Sequence, residues 1–437
     1  MLDRPQSKLS PAWQQVAADL SAYDTLLLAV SGGGDSLAML VGLAALRDSG
    51  ALDAEIAVVT VDHGLRPESA QEAKRVADVC RLLTVPCEIA ALMPPDDRGN
   101  KQAWARAARY SALAKSRPLL DDPKRLCTIL TAHTADDQAE TFLMRAARST
   151  GTEGLAGIRV TTTIEGAPVH RPFLSWSRQE LRTVLDGCLW SPAEDPSNDD
   201  VTSTRVRFRR WLAQAPTPDG AKPVVAGLAD AATLAALESD ALEQIAQDHF
   251  AELGGAPYGF LYGNADLSGV PVAVGGRIVR LILASVARTK HRSSHNALPF
   301  DLARMTDLFG TILMNETGKW VGGSAVIEWS RSPDDVSVEL FAYAEAGRTG
   351  FPKLVVAPGE DTIWDGRFRV ENSSNVPLTV HAWVKGHPMP AIGKAGRCKP
   401  LLESLPVAVS EADGRIYTLL PRVDNDTGGI APIFQAL

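Results

Sequence analysis

An apolar run, Leu26-Leu27-Leu28-Ala29-Val30, leads straight into Ser31-Gly32-Gly33-Gly34-Asp35-Ser36, and a helix-like stretch from Leu37 to Leu46 follows at once. A buried strand, a three-glycine turn and a helix start, in that order, constrain the fold more than any other feature. Glycines remove side-chain bulk and let backbone N–H groups point at an anion. The helix N-terminus adds unpaired donors and a partial positive charge. Ser31 and Ser36 offer hydroxyls, and Asp35 puts a carboxylate where it can hold magnesium between phosphate oxygens. Residues Ser31, Gly32, Gly33, Gly34, Asp35 and Ser36 therefore read as a phosphate cradle. The same residues also suit a plain glycine turn with a capping Ser or Asp. No Lys follows the glycines, so this is not a Walker loop, and the Gly-x-Gly-x-x-Gly spacing of dinucleotide folds is missing.

Strand-like and helix-like segments alternate through the first two hundred residues. Glu55 to Asp62, Pro86 to Leu92 and Leu126 to Ala132 read as further strands; Glu68 to Leu83, Lys101 to Ala114 and Gln138 to Ala147 read as helices. Such alternation predicts an α/β fold, Rossmann-like, with a parallel sheet covered by helices on both faces. Ligands in these folds bind at the carboxyl ends of the strands. Ser31 to Ser36, Asp62-His63 and His133 to Asp137 all fall there. A Pro- and Gly-rich break at 213–220 predicts a first domain over 1–215. A mainly helical domain is expected over 216–317, with helices at Leu228 to His249, Gly276 to Ala287 and Phe300 to Met314. Short strands with turns then predict a smaller, strand-rich, mixed α/β region over 318–437.

Bulk properties narrow the class. The 437 residues suffice for two or three cores. No apolar run is long enough to span a membrane, and the polar start lacks a signal-peptide core. Five cysteines without a Cys-x-x-Cys pair argue against a metal cluster or disulfide framework and for a cytoplasmic setting. The net charge of −8 is uneven. Residues 1–215 carry 25 Lys and Arg against 27 Asp and Glu, whereas the remainder carries 19 against 25. A locally basic face can still meet RNA, so net charge does not decide the partner.

A second motif is Thr131-Ala132-His133-Thr134-Ala135-Asp136-Asp137-Gln138-Ala139-Glu140-Thr141. Asp137 and Glu140, three apart at a helix start, share a face. Beside a nucleotide they suit magnesium binding or orientation of a nucleophile; they equally suit helix capping and dipole stabilisation. Arg106 and Arg109 lie three apart near Trp104, and Arg205, Arg207, Arg209 and Arg210 form a second basic cluster. Arginine suits phosphate contact and base stacking, and also a solvated salt-bridged face. Trp190, Trp320 and Trp364 are expected in cores, and His63 as a backbone-satisfying group at a strand end.

Ser-Gly-Gly-x-Asp-Ser resembles the pyrophosphate loop of the PP-loop ATP pyrophosphatases. Further matches are Val61-Asp62-His63-Gly64-Leu65-Arg66, Gly99-Asn100, Ala105-Arg106, Arg109-Tyr110, Asp136 to Thr141, Gly154-Leu155-Ala156-Gly157, Arg171-Pro172-Phe173-Leu174 and Asp195-Pro196-Ser197-Asn198. Together they resemble the tRNA(Ile)-lysidine synthase family over roughly 25–210. The resemblance implies a ligase that uses ATP and Mg2+ to adenylate the 2-position oxygen of the wobble cytidine in an isoleucine tRNA with a CAU anticodon. Free L-lysine then displaces AMP to give lysidine. It implies catalytic roles for Asp35, Asp137, Glu140 and Arg106, with Asp35 the magnesium ligand. ATP contacts follow for Ser31 to Ser36, Val61 and His133, and tRNA or substrate contacts for Arg109, Asp136, Arg205 and Arg207. The strand-rich region takes a tRNA-recognition role by position. No membrane partner is expected, and a homodimer is compatible with the chain. Two departures stand out: Thr134 where many members have a second His, and Ser149 where Gly is usual. The alternatives are a tRNA thiolase of the 2-thiocytidine type, an NAD synthetase-like amide ligase and a non-catalytic RNA binder. The missing Cys pair, the missing glutaminase signature and the intact acids respectively disfavour them.

Overall fold

The computed structural model describes residues 9–62, 64, 69–92, 101–116, 125–148, 151–186, 188, 203–215, 223–254, 260–287, 300–331, 336–347, 350–365, 367–388, 398–423 and 430–436; for 101–103, 106 and 418–436 it describes backbone alone. The chain divides into two compact units, the first ending at Ser239 and the second running from Asp240.

The first unit holds α1 (Pro11–Leu20), β1 (Thr25–Ala29), α2 (Gly34–Asp48), β2 (Glu55–Asp62), α3 (Ser69–Leu82), β3 (Cys87–Ala91), α4 (Lys101–Lys115) and β4 (Cys127–Leu130). It continues through α5 (Ala135–Ala146), α6 (Thr152–Leu155), β5 (Thr161–Ile164), β6 (Ala167–His170), α7 (Arg178–Arg182), α8 (Thr204–Gln214) and the start of α9 (Val224–Glu252). Its sheet has the order β3-β2-β1-β4-β6-β5. All neighbours are parallel except the β5–β6 hairpin. Glu165 and Gly166, both at positive φ, close that hairpin in two residues, as a twist-matched turn requires.

Side chains alternate across a strand, and the core shows it. Leu26, Leu28, Val30, Ile56 and Val58 face a core shared with α2 and α3. Leu27, Ala57, Val59 and Ile129 face the opposite way, against Tyr110 and Leu113 of α4. Both faces are therefore covered, as the alternating pattern predicts. The chain winds outward from β1 to β3 and then returns to β4 on the other side of β1. The carboxyl ends of β1 and β4 thus flank the point where the winding reverses, where such sheets bind ligands.

The sequence reading contained no α1. Pro11 begins this helix, at a position where the missing N–H costs nothing. Its Trp13 is 1% exposed and packs edge-on against Phe173 at 5.3 Å and Trp176 at 5.2 Å. This aromatic clasp fits because α2 has Gly42 beneath it: a Cβ there would lie 2.0 Å from the indole.

In the second unit, β7 (Leu261–Asp266), α10 (Val272–Val286), α11 (Leu302–Met314), β8 (Thr317–Gly322), β9 (Ala325–Ser330) and β10 (Ser337–Ala344) share one core. The four strands form an antiparallel sheet, β7-β10-β9-β8. The expected boundary at 317/318 therefore falls inside β8, and the expected helices belong with the strands that follow. The physical reason is that α10 and α11 bury their apolar faces on that sheet instead of on each other alone. Strands β11 (Leu354–Val356), β12 (Asp361–Trp364), β13 (Phe368–Glu371), β14 (Leu378–Ala382), β15 (Pro406–Ser410), β16 (Ile416–Val423) and β17 (Ile430–Ala436) complete the unit. They form the sheet β11-β14-β15-β16-β17 and the β12–β13 pair. Trp364 is a fully buried core residue and Trp320 packs partly buried against the α10–α11 core; Trp190 lies outside the described residues.

Gly42→Val should lower stability by about 1–3 kcal/mol through overpacking against Trp13, read as a fall in the thermal unfolding midpoint. An unchanged midpoint would show that the indole does not need the glycine.

Candidate active site

The cradle forms where the sequence places it. Gly32 sits at φ +85°, a conformation that glycine adopts freely. Gly33 caps α2, and the α2 N-terminus follows directly. Ser36 braces the loop: its hydroxyl donates to the Gly33 carbonyl at 2.9 Å and accepts from the Ser31 N–H at 3.2 Å. The Ser31 hydroxyl lies 3.3 Å from that of Ser36.

The second motif lies at the end of β4. Thr134 caps α5, and Asp137 closes a capping box on it: the Thr134 N–H and hydroxyl both reach one Asp137 oxygen, at 3.0 and 3.2 Å. The departure from a second histidine thus has a structural use, since Thr134 is fully buried and serves as the cap. His133 turns its Nδ1 to the Thr131 hydroxyl at 2.8 Å. Gly157, at φ +63°, lets the loop after α6 approach Gln138, whose side chain exchanges hydrogen bonds with the Ile158 backbone.

Arg178 joins the two motifs, and the sequence reading did not select it. Its Nε donates to Asp35 at 3.1 Å. Its other nitrogens lie 3.9 Å from Asp136, 3.5 Å from Asp137 and 3.6 Å from Glu140. Its backbone N–H donates to Asp136 at 2.7 Å. Arg182, also unselected, donates to the other Asp35 oxygen at 2.6 Å. Arg205 bridges Asp137 at 2.7 Å and Glu140 at 2.6 Å, and Arg209 holds Glu140 at 2.7 Å. Asp35, Asp136, Asp137 and Glu140 therefore share one web with four guanidinium groups. The available signal was Ser177-Arg178-Gln179-Glu180, a capping-box spacing that opens α7. The aromatic clasp at Phe173 and Trp176, and the Ala135 N–H donating to the Trp176 carbonyl at 2.8 Å, hold α7 beside α5.

Other expected site residues lie elsewhere or are spent. Glu140 has a side chain only 1% exposed, with both oxygens on arginines. Asp62 accepts from the Gly64 N–H and from the hydroxyl of Ser69, the first residue of α3. Val61 is half-buried near the end of β2. Arg109 is exposed on α4; the Arg106 side chain, His63 and Ser149 lie outside the described residues. Arg207 is exposed on α8 and donates to the Thr204 hydroxyl at 3.1 Å.

Burial alone would raise the Asp137 carboxyl. Arg205, His133, Arg178 and the Thr134 N–H together outweigh it and hold the group below the ordinary carboxylate range. Burial opposes charge on Arg178 and Arg205 too, yet Asp137 and the neighbouring acids keep both guanidiniums firmly protonated.

A glycine cradle and an acidic cluster at the reversal point of a doubly covered parallel sheet define a PP-loop nucleotide-binding enzyme. The PP-loop domain model matches residues 5–215. A tRNA(Ile)-lysidine synthase from Methylobacterium nodulans is 36% identical over 296 residues, which is 66% of this chain and 81% of the relative. Those from Zymomonas mobilis and Ruegeria pomeroyi are 42% and 44% identical over 43% of this chain. These two matches span 56% and 43% of the relatives' own lengths. The chain belongs to the tRNA(Ile)-lysidine synthase family.

Because Asp137 titrates lower folded than unfolded, its contribution to stability is complete above the ordinary value of 3.8 and is lost as the pH falls through the folded value. Urea unfolding followed from about pH 5 to about pH 3 should show a steeper loss for the wild type than for Asp137→Asn. Equal slopes would mean that the arginines do not hold this carboxylate.

Proposed function

We propose that the protein ligates free L-lysine to the 2-position of the wobble cytidine in an isoleucine tRNA with a CAU anticodon, releasing AMP and pyrophosphate. The observation that carries this reading is Arg178, which ties Asp35 of the phosphate cradle to Asp136, Asp137 and Glu140 in one site. A triphosphate on the loop and an amine beside Asp137 would then lie within reach of one RNA base.

The chemistry runs in two displacements. The cytidine O2 attacks the α-phosphorus of ATP, and pyrophosphate leaves toward the α2 N-terminus, where backbone N–H groups stabilise its charge. The lysine amine then attacks C2, the C2–O bond breaks, and AMP carries the oxygen away. Asp35 fits a magnesium ligand, because such an ion commonly takes one or two carboxylates and draws its other donors from substrate phosphates and water. Among the described residues no group of three or more His, Cys, Asp or Glu could hold a metal without such help. When bound, magnesium would supply charge neutralisation between phosphate oxygens.

Asp137 stays ionised at neutral pH and is a weak base, so its role is to attract and orient the lysine amine. Glu140, buried and doubly paired, positions Arg205 and Arg209. Arg106 and Arg109 on α4, Val61 and His133 are assigned to ATP or RNA contact, and the strand-rich region to tRNA recognition.

Helix α8 splits its charge by face. Arg205 and Arg209 point at the acids, while Arg207, Arg210 and Trp211 are exposed. Trp211 is 55% exposed, and an aromatic ring beside arginines suits an unstacked base and its phosphate.

With ATP and the tRNA, AMP release should depend on added lysine, and Asp137→Asn should cut it at least about 100-fold while ATP still binds. AMP release with sulfide or ammonia in place of lysine would sink the reading. Arg207→Ala should weaken tRNA binding and reduce the slope of log affinity against log salt by about one. An unaltered slope would remove α8 from the RNA surface.

A further inference from the structure

Both Asp35 oxygens are taken by guanidinium groups, Arg178 at 3.1 Å and Arg182 at 2.6 Å. Each oxygen of the carboxylate thus already carries one charge-assisted donor, and two of its four lone-pair sites are taken. The same Arg182 conformer also packs on the cradle backbone. An ideal Cβ built on Gly34 would lie 2.8 Å from Cζ and Nε of Arg182 and 3.1 Å from its Nη2. The Arg182 guanidinium therefore rests on the first residue of α2, against the backbone that forms the cradle. A side chain at 34 would push the guanidinium off this seat.

We propose that Arg178 and Arg182 are the cations that grip the β- and γ-phosphates of ATP, and that Asp35 holds them beside the cradle until the triphosphate arrives. The inference rests on the loop being the ATP site. The charge count favours it. Four carboxylates meet four guanidiniums, so the web is formally neutral. A magnesium-bound triphosphate still brings net negative charge into a site that already holds four acids. Transfer of Arg178 and Arg182 from Asp35 to phosphate oxygens leaves Asp35 available to the ion and gives the polyanion two fork-shaped donors. Arg205 and Arg209 do not transfer, because Glu140, 1% exposed, would be left buried and unpaired. Arg182 is well suited to moving: its side chain is 46% exposed, and among the described residues its ion pair is with Asp35 alone. Arg178, 19% exposed and bound through its own backbone N–H to Asp136, would pivot at the side chain alone.

The test is calorimetric titration of the full chain with Mg·ATP, Mg·pyrophosphate and AMP. Arg182→Ala should weaken ATP and pyrophosphate about ten-fold or more and leave AMP within about two-fold, the loss of one charge-assisted contact to the terminal phosphates. Arg182→Lys should recover part of it, since a point charge replaces a fork. Arg178→Lys, which keeps the web charged, should show the same split. Wild-type ATP and pyrophosphate affinity in Arg182→Ala would overturn the grip, as would a parallel loss of AMP, because simple acid neutralisation acts on every anion alike. A phosphate split without lysine-dependent AMP release would leave the grip standing and remove the lysidine reaction. Lysine-dependent release with no split would do the reverse.

Discussion

Four carboxylates are gathered at one sheet edge, and the attraction of four guanidiniums makes that gathering tolerable. Like charges this close raise one another's proton affinity, and burial adds to the effect. Without Arg178 and Arg205, only His133 and the Thr134 N–H would offset the cost of burying charge on Asp137. Asp137 shows the outcome: burial pushes it up, and the surrounding cations bring it below its ordinary range. The arginines come from α7 and α8, late in the unit, and the acids from α2 and α5, early in it. The web thus ties the two halves of the unit across the carboxyl edge of the sheet.

Packing remote from the charges positions that web. Trp13 of α1, Phe173 and Trp176 meet edge to face over a glycine of α2. Edge-to-face aromatic pairs are directional as well as apolar, so the clasp sets where the 173–178 segment lies. The Ser177–Glu180 capping box then starts α7 within one residue of the clasp, and Arg178 falls between Asp35 and Asp136. An aromatic cluster thereby dictates the geometry of an ionic one. The order of causes runs from glycine at 42 to indole to helix start to guanidinium.

Much of the first unit was legible because its signals are local. Strands β1, β2 and β4 carry apolar runs and the cradle glycines a conformational reason, so β1 is located within one residue and α2 within three; β5 (TTTI) and β6 (APVH) have no such run and were not read. Asp136, Asp137 and Glu140 were legible for the same reason. Arg178 and Arg182 were not, because their function is created by a contact about 140 residues away in sequence, which no local pattern encodes. Helix α1 was missed because Pro11 and four buried residues make a short signal beside a polar start. Composition changes from helix to strand at 317/318, but cores follow faces, and α10 and α11 place theirs on strands β7 to β10.

Net charge misleads about partners for a related physical reason. Residues 1–215 are nearly balanced in Lys and Arg against Asp and Glu, which by itself suggests no affinity for a polyanion. Helical periodicity resolves this. In α8 the residues one turn apart, Arg205 and Arg209, spend their charge inward on acids, while Arg207, Arg210 and Trp211 turn to solvent. Electrostatic attraction at a surface falls off within a Debye length of about 8 Å in physiological salt. An approaching RNA therefore senses the outward arginines more strongly than acids already neutralised beneath them. The same eleven-residue helix can keep an acidic site neutral on one side and present positive charge on the other, and only the three-dimensional placement of each arginine says which task it performs.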